Sequence, residues 1–492
     1  MNVVYFLVDD LGWKDVGCYG SSFYETPNID HLATEGVRFT SAYAACHVCS
    51  PSRASIISGK YPASLNLTDW LPGRLDFPFQ KLKNVQVKQH LPYGEATIPK
   101  VLHENGYKTV IFGKWHLGED SASTSRQGFD MHLPDWNKGW PNTGYFSPYG
   151  LKRLEGGPDG EYLTDRLTTE ALKYIETNKD QPFFLYLSHF AVHDPIEGRP
   201  DLVEKYKAKL TKHPTPKDST FTLEGNPGSS IETAGVNHQG YRIFDENTVK
   251  IKRYQDNVEF AAMVDSMDES LGRVLAKLKE LKIDDHTVVI FYSDNGGMSA
   301  ANFYEPGRVI NKNKLDKAFS TSNLPLRGGK GWLYEGGIRV PLIVKWPGKA
   351  LQGYVCDVPV TGPDFFPTIL DMLGIQQPEN AKTDGASIVP LLEGQPNIGR
   401  KAIFWHFPHY SNHGMQSPGG AVRSGDYKLL DYFENGMVQL FNLKNDPEEE
   451  HDLAALEPEK AQELLKLLHD WQKQVGAKMM EPNPEFEQSA EK

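Results

Sequence analysis

Val3-Val4-Tyr5-Phe6-Leu7-Val8, ending in Asp9-Asp10, is the stretch that decides the fold. Six consecutive apolar residues are too few for the hydrophobic region of a signal peptide, and without polar alternation they read as a strand buried on both faces. Three further runs rich in Val, Ile, Phe and Tyr have the same look, at residues 109–112, 183–187 and 288–292. Helical patterns lie between them, at 98–105 following Thr97, at 162–177 and at 256–281. Strands alternating with helices predict an α/β domain with a central, mostly parallel sheet flanked by helices.

The residues at the end of each strand point to chemistry. The first run ends in Asp9-Asp10 and the second in Gly113-Lys114-Trp115-His116. The third leads to Ser188-His189 and His193, and the fourth ends in Ser293-Asp294-Asn295. Open α/β sheets bind ligands at the carboxyl ends of their strands. Carboxylates, an amide, a Lys and two or three His are therefore expected on one rim. Asp9, Asp10, Asp294 and Asn295 form an all-oxygen set that suits a hard cation, Ca²⁺ or less well Mg²⁺, better than zinc. Lys330, in Gly328-Gly329-Lys330-Gly331, sits on a loop lean enough to approach a ligand closely. Gly331 stands where a P-loop requires Ser or Thr.

Residues 1–385 are read as the large domain. Residues 386–492 are read as a small antiparallel α+β unit, with strands at 402–407, 421–423, 427–431 and 438–441 and a helix at 458–474. Residues 196–250 and 299–325 read as polar surface insertions, and the last dozen residues as a polar tail. No apolar run approaches the length of a membrane span. The net charge of −12, with no basic tail or stripe, argues against nucleic acid as a partner. An anionic substrate would have to meet a local positive pocket. Four cysteines are too few for a disulfide scaffold. Cys46 and Cys49 form a C-x-x-C that can be read as a redox pair or half a zinc site. No second C-x-x-C completes a zinc ribbon, and the residues after Cys49 explain it better.

Those residues are Cys49-Ser50-Pro51-Ser52-Arg53, with Ser58-Gly59-Lys60 close behind. Ser50 is expected to cap a helix whose first residue is Pro51, placing residue 49 at a helix N-terminus, where an anion is favoured. The stretch resembles the signature of the formylglycine-dependent sulfatases, in which a maturation enzyme oxidises the Cys to an aldehyde whose hydrate is the nucleophile. Asp9-Asp10, Gly113-Lys114-Trp115-His116-Leu117-Gly118, Ser293-Asp294-Asn295-Gly296-Gly297, and Gly329-Lys330-Gly331-Trp332 with Glu335-Gly336-Gly337-Ile338-Arg339 resemble the family's further blocks, in family order. Val360-Thr361-Gly362-Pro363-Asp364 and Gly425-Asp426-Tyr427-Lys428-Leu429 resemble later segments, so the likeness spans almost the whole chain. Ser58-Gly59-Lys60 departs from the commoner Thr-Gly-Arg.

The resemblance implies an alkaline-phosphatase-like α/β fold and Ca²⁺ bound by Asp9, Asp10, Asp294, Asn295 and residue 49. It also implies, as a partner, a formylglycine-generating or anaerobic sulfatase-maturating enzyme. It implies that one hydroxyl of the hydrate attacks sulfur in line with help from Asp294. His193, helped by Lys330, protonates the departing alcohol, and His116 then takes the proton of the second hydroxyl. Arg53 holds the hydrate and Lys114 the sulfate. Likeness to bacterial glycan sulfatases suggests a sulfated saccharide substrate, galactose-type and cleaved exo, and a periplasmic or secreted location. His406, His409, His413, Arg423 and Arg327 are the candidate substrate contacts, with Trp70, Trp136 and Trp140 as further wall residues. Two other readings stay open: a phosphonate or phosphate ester hydrolase on the same scaffold, and a non-catalytic protein that binds sulfated glycans.

Overall fold

A computed structural model describes residues 1–76, 80–118, 123–154, 156–216, 220–225, 248–300, 319–411, 413 and 416–486. In chain order its principal elements begin with β1 (Asn2–Val8), α1 (Pro27–Glu35), β2 (Val37–Phe39), α2 (Cys49–Ser58), α3 (Ile98–Glu104), β3 (Lys108–Gly113) and β4 (Met131–Leu133). They continue with α4 (Leu163–Asn178), β5 (Phe183–Ser188), α5 (Pro200–Lys212), α6 (Val258–Glu280), β6 (Thr287–Ser293), β7 (Leu342–Lys345), β8 (Tyr354–Cys356) and α7 (Phe365–Leu373). The C-terminal part adds β9 (Ile403–Phe407), β10 (Gly419–Ser424), β11 (Tyr427–Tyr432), β12 (Val438–Asn442) and α8 (Pro458–Gln474).

The eight-stranded central sheet has the order β8-β2-β7-β6-β1-β5-β3-β4, and only β7 runs antiparallel to its neighbours. All seven residues of β1 are buried because both faces of the sheet are covered. Val4, Phe6 and Val8 pack with α1, α4, α5 and α6, while Val3, Tyr5 and Leu7 pack with α2, α3 and α7. Each large aliphatic or aromatic side chain so buried contributes roughly 1.5–3 kcal/mol. The four apolar runs therefore form the middle of a three-layer α/β sandwich. Thr97 caps α3 by accepting from the Lys100 N–H.

The C-terminal domain is a four-stranded antiparallel sheet in sequential order, β9-β10-β11-β12. One face, through Val422, Leu429 and Leu440, packs on Leu464, Leu468 and Trp471 of α8. The other, through Ile403, Trp405 and Leu430, packs on Tyr43, Trp332, Tyr334 and Ile338 of the large domain.

Four sequence expectations need correction. Within 196–250, α5 is a core helix that buries Leu202, Val203 and Tyr206. Residues 319–323 are buried too, because their polar groups find partners: Thr321 donates to Asp15 at 2.6 Å and Asn323 to the Gly297 carbonyl at 2.8 Å. The rest of those two stretches lies largely outside the described residues. In the expected tail, Glu481–Pro482 pairs with Leu82–Lys83. Finally, Ser50 is not the cap of α2. Extended Val48 holds the cap position, Cys49 opens the first turn, and the Ser50 hydroxyl accepts from the Leu71 N–H at 3.1 Å.

Candidate active site

The carboxyl ends of β1, β3, β5 and β6 converge, and each ends the way it does for a local reason. Beyond β1, the Asp9 N–H donates to the Ala191 carbonyl and the Val192 N–H to the Asp9 carbonyl, which draws the segment after β5 against the first strand. Asp10 adopts φ 60°, a left-handed conformation that Asp tolerates better than most residues. Its N–H donates to Asp294 Oδ1 at 3.2 Å. At the end of β3, Gly113 has φ 103°, and a Cβ there would lie 1.9 Å from the Ser188 carbonyl oxygen. Only glycine lets β3 close onto β5 and deliver Lys114 to the rim.

Asp9, Asp10 and Asp294 are fully buried and offer carboxylate oxygens within 4.8 Å of one another. Each is matched by a cation. Lys114 Nζ lies 2.6 Å from Asp9 Oδ2, Lys330 Nζ 2.7 Å from Asp10 Oδ2, and Arg53 Nε 2.8 Å from Asp294 Oδ2. Arg53 also donates to the Ser188 hydroxyl at 2.6 Å and to the Lys114 carbonyl at 3.1 Å, so β3, β5, β6 and α2 are tied through one guanidinium. Asn295 Nδ2 donates to Asp10 Oδ1 at 2.8 Å. Burial pushes Asp10 up, but Lys330, His193 and Lys114 outweigh it and hold this carboxyl well below the usual range. Burial and Asp9 push Asp294 up to about 6 against the pull of Arg53 and Lys114.

Asp9 Oδ1, which Arg53 Nη2 approaches only to 3.5 Å, and Asn295 Oδ1 are buried with no hydrogen-bond partner among the described residues. Buried acceptors left bare are costly unless something electropositive meets them. Both are hard oxygen donors beside two further carboxylates, so the residues present fit a Ca²⁺-type ion.

Cys49 is 4% exposed at the N-terminus of α2 and lies within electrostatic reach of Lys330 and Arg53. It is not bonded to Cys46, and all four cysteines are free. His193 Nδ1 lies 2.7 Å from the Asp194 carbonyl oxygen and 2.9 Å from Asp194 Oδ1, and Nε2 lies 3.7 Å from Asp10 Oδ2. Burial and Lys330 push His193 down, but Asp10, Asp194 and Asp9 outweigh them and raise it to about 9. His116 behaves oppositely: burial and the neighbouring Lys114 hold it well below its ordinary value. Its Nε2 donates to the Leu71 carbonyl at 2.8 Å, leaving Nδ1 the bare nitrogen. A Cβ on Gly139 would come 2.5 Å from the His116 ring, so the 136–140 segment closes tightly over it.

The substrate candidates divide. His413 is 5% exposed; neither ring nitrogen has a hydrogen-bond partner among the described residues, and it feels Lys330, Asp10, Asp194 and His193. His409 is buried, with Nε2 2.8 Å from the Thr68 hydroxyl. His406 points away, its nitrogens meeting the Lys478 carbonyl at 2.9 Å and Gln472 at 3.2 Å. Arg327 is clamped to Glu224 at 2.5 and 2.9 Å over the Tyr334 ring, and Arg423 bonds to the Tyr43 hydroxyl. These three hold the structure together and present no group to the rim. Asn412 and Gly414 of the same loop lie outside the described residues. His189, expected near the rim, meets Ser270 of α6 at 2.9 Å instead.

Sequence reasoning missed Asp194, Ser188 and the Leu71 carbonyl as partners of the reactive groups. Asp194 was legible as the neighbour of His193 in His193-Asp194-Pro195. A backbone carbonyl 45 positions from the His it orients leaves no signal.

An α/β sheet that gathers carboxylates, cations and histidines around a helix-terminal Cys at its carboxyl edge is built as a hydrolase of charged esters. The chain belongs to the sulfatase family, the hydrolases of sulfate esters, whose model matches residues 1–375. A second model, N-sulphoglucosamine sulphohydrolase C-terminal, matches 329–478. The chain is 30% identical to a sulfatase of Formosa agariphila over 93% of its own length and 85% of the relative's. It is 30% identical to the N-acetylgalactosamine-6-sulfatase of Mus musculus over 80% of its own length and 66% of the relative's. The crystal structure of Ps i-CgsB in complex with k-i-k-neocarrahexaose superposes with a TM-score of 0.70 at 27% identity, covering 96% of this chain and 92% of that one. Among the described residues no helix is long and apolar enough to cross a membrane.

Proposed function

We propose that this sulfatase removes sulfate from a galactose-type sugar at the end of a glycan chain, using a formylglycine made from Cys49 and a bound Ca²⁺. The observation that carries the reading is the placement of Cys49, at a helix N-terminus and within electrostatic reach of Lys330 and Arg53, which with Lys114 match three clustered buried carboxylates. Three negative and three positive groups cancel, as do His193 and the Asp194 carboxylate 2.9 Å from it, so a divalent cation would give the site net positive charge for a sulfate monoanion. Bound by Asp9, Asp10, Asp294 and Asn295, that cation would neutralise sulfate oxygens and lower the pKa of the attacking hydroxyl.

The chain's own groups then have separate tasks. Arg53 and the N-terminal amides of α2 orient residue 49 and the sulfate. Lys114 and Lys330 clamp the sulfate oxygens. His193, its Nδ1 held by Asp194, carries a proton at Nε2 for the departing alcohol. His116, with Nδ1 bare, accepts the proton that leaves residue 49 when sulfate is released. His413 and His409 wall the saccharide side. Galactose-type specificity is supported by the name of the mouse relative, N-acetylgalactosamine-6-sulfatase. A maturation enzyme of the formylglycine-generating or anaerobic type is a required partner on this reading, and a periplasmic or secreted location accords with it.

Mass spectrometry of the tryptic peptide 39–53, from the native host or with the maturation enzyme co-expressed, is expected to show a mass about 18 Da below the cysteine form. An unmodified thiol under both conditions would sink the proposal. Protein stripped of divalent cations is expected to lose activity and to regain it with Ca²⁺. Ca²⁺ at one hundred times its Kd should also stabilise the fold by about 2.7 kcal/mol, raising the thermal midpoint. Full activity in metal-free protein would contradict the carboxylate assignment.

A further inference from the structure

Where β9 and β10 of the C-terminal domain meet the end of β2 lies a cavity of about 480 Å³ that none of the reactive residues lines. This is within the size range of small-ligand sites. Five cations line it, Arg339, Arg400, Lys401, Arg423 and Lys444, against two carboxylates, Asp357 and Asp426. Such an excess of positive charge is local, since the whole chain carries −12.

The three guanidiniums are held in place from behind. Arg400 lies 2.7 Å from Asp364 Oδ2, and Arg339 donates to the Thr40 carbonyl at 2.8 Å above the Trp13 ring. Arg423 bonds to the Tyr43 hydroxyl. A guanidinium has five N–H donors, more than these anchors use, and a held one loses little freedom on meeting an oxyanion. Even with Asp364 and Glu335 set against Arg400 and Arg339, the remaining three cations outnumber Asp357 and Asp426. Lys401 and Lys444 stand exposed at the mouth.

Strand β2 runs parallel to β1, so its end at Thr40 opens on the same edge of the sheet as Asp9 and Asp10. β9 runs from the cavity towards the segment that carries Cys49. Ile403 lines the cavity, while Phe407 packs on the His47 ring at 4.1 Å, two residues from Cys49. Four residue steps of strand are about 13 Å. Trp405, buried between them with its indole N–H on the Ala44 carbonyl, closes any direct passage.

We propose that this inter-domain pocket is a second anion site that grips an unreacted, sulfate-bearing stretch of the same saccharide chain whose terminal residue occupies the active site. The proposal rests on the reading of the substrate as a sulfated saccharide. It makes the enzyme discriminate chain length: a long sulfated chain gains a second foothold that a monosaccharide cannot reach.

Calorimetric titration of the Cys49→Ala protein, which leaves its ligand intact, tests this with neocarrahexaose and galactose 6-sulfate. Adding Lys401→Glu and Lys444→Glu is expected to weaken hexaose binding about tenfold and to change galactose 6-sulfate binding less than twofold. Lys466→Glu with Lys473→Glu on α8 makes the same change in net charge elsewhere and should leave both affinities unchanged. Hexaose binding that is absent, indifferent to Lys401 and Lys444, or weakened equally by the α8 pair would overturn the proposal. The two readings fail separately. If the wild-type protein releases no sulfate but binds hexaose through Lys401 and Lys444, the catalytic reading falls and the pocket stands.

Discussion

Replacing Cys49 by alanine is expected to reduce sulfate release by at least about 10⁴-fold, the scale on which removal of a nucleophile acts when the rest of its machinery is intact. The side chain is small and already buried at the first turn of α2, so the variant should fold as the wild type does. Arg53, Lys114 and Lys330 remain paired with their carboxylates, and sulfated ligand should still bind. A variant that binds but does not turn over would separate nucleophile from binding site. Sulfate release at the wild-type rate would remove residue 49 from the reaction. It would also reopen the non-catalytic and alternative-ester readings.

Replacing Lys428 by methionine should cost the most stability of any single change considered. Lys428 lies on β11 with no exposure, its Nζ 3.1 Å from Glu335 Oε1 and 2.8 Å from Glu449 Oε1. Glu449 Oε2 accepts from the Glu335 N–H at 2.6 Å, and the Tyr43 hydroxyl donates to Glu335 Oε2 at 2.7 Å. Burial and Glu335 push Glu449 up to about 7 against the pull of Lys428. Without it the two buried carboxylates lose the cation they share, with Arg339, 3.5 Å from Glu335 Oε2, still facing the pair, at a cost of about 3–5 kcal/mol. The urea midpoint of the variant should fall accordingly. Adding Glu449→Gln should restore part of the loss, because removing both partners of a buried pair costs less than removing one. An unchanged midpoint in the single variant would show that the triad does not join the C-terminal sheet to the loop that carries Lys330.

The triad and the carboxylate cluster show where reading along the chain stops. Lys428 stands in Gly425-Asp426-Tyr427-Lys428-Leu429, which nothing but a family likeness singled out. Its partners lie 93 and 21 residues away. His189 and His193 leave the same strand, and both were candidates for the rim. Only packing decides that one meets Ser270 on α6 and the other faces Asp10. His406 and His413 divide in the same way between the α8 side and the active-site side.

The layered α/β plan came from the sequence alone, because strands covered on both faces must be apolar throughout and helices covered on one face must be periodic. The same reasoning brought Asp9, Asp10, Lys114, Asp294 and Asn295 to one rim, since residues just beyond parallel strands emerge at one edge. The tertiary structure decided which way each loop side chain faces, and which distant groups hold it. Beyond a strand's last paired residue no period constrains direction. The atoms that orient His116, Arg53 and Lys428 are a backbone carbonyl, a serine hydroxyl and two buried carboxylates, brought together by the packing of layers whose order no local stretch encodes.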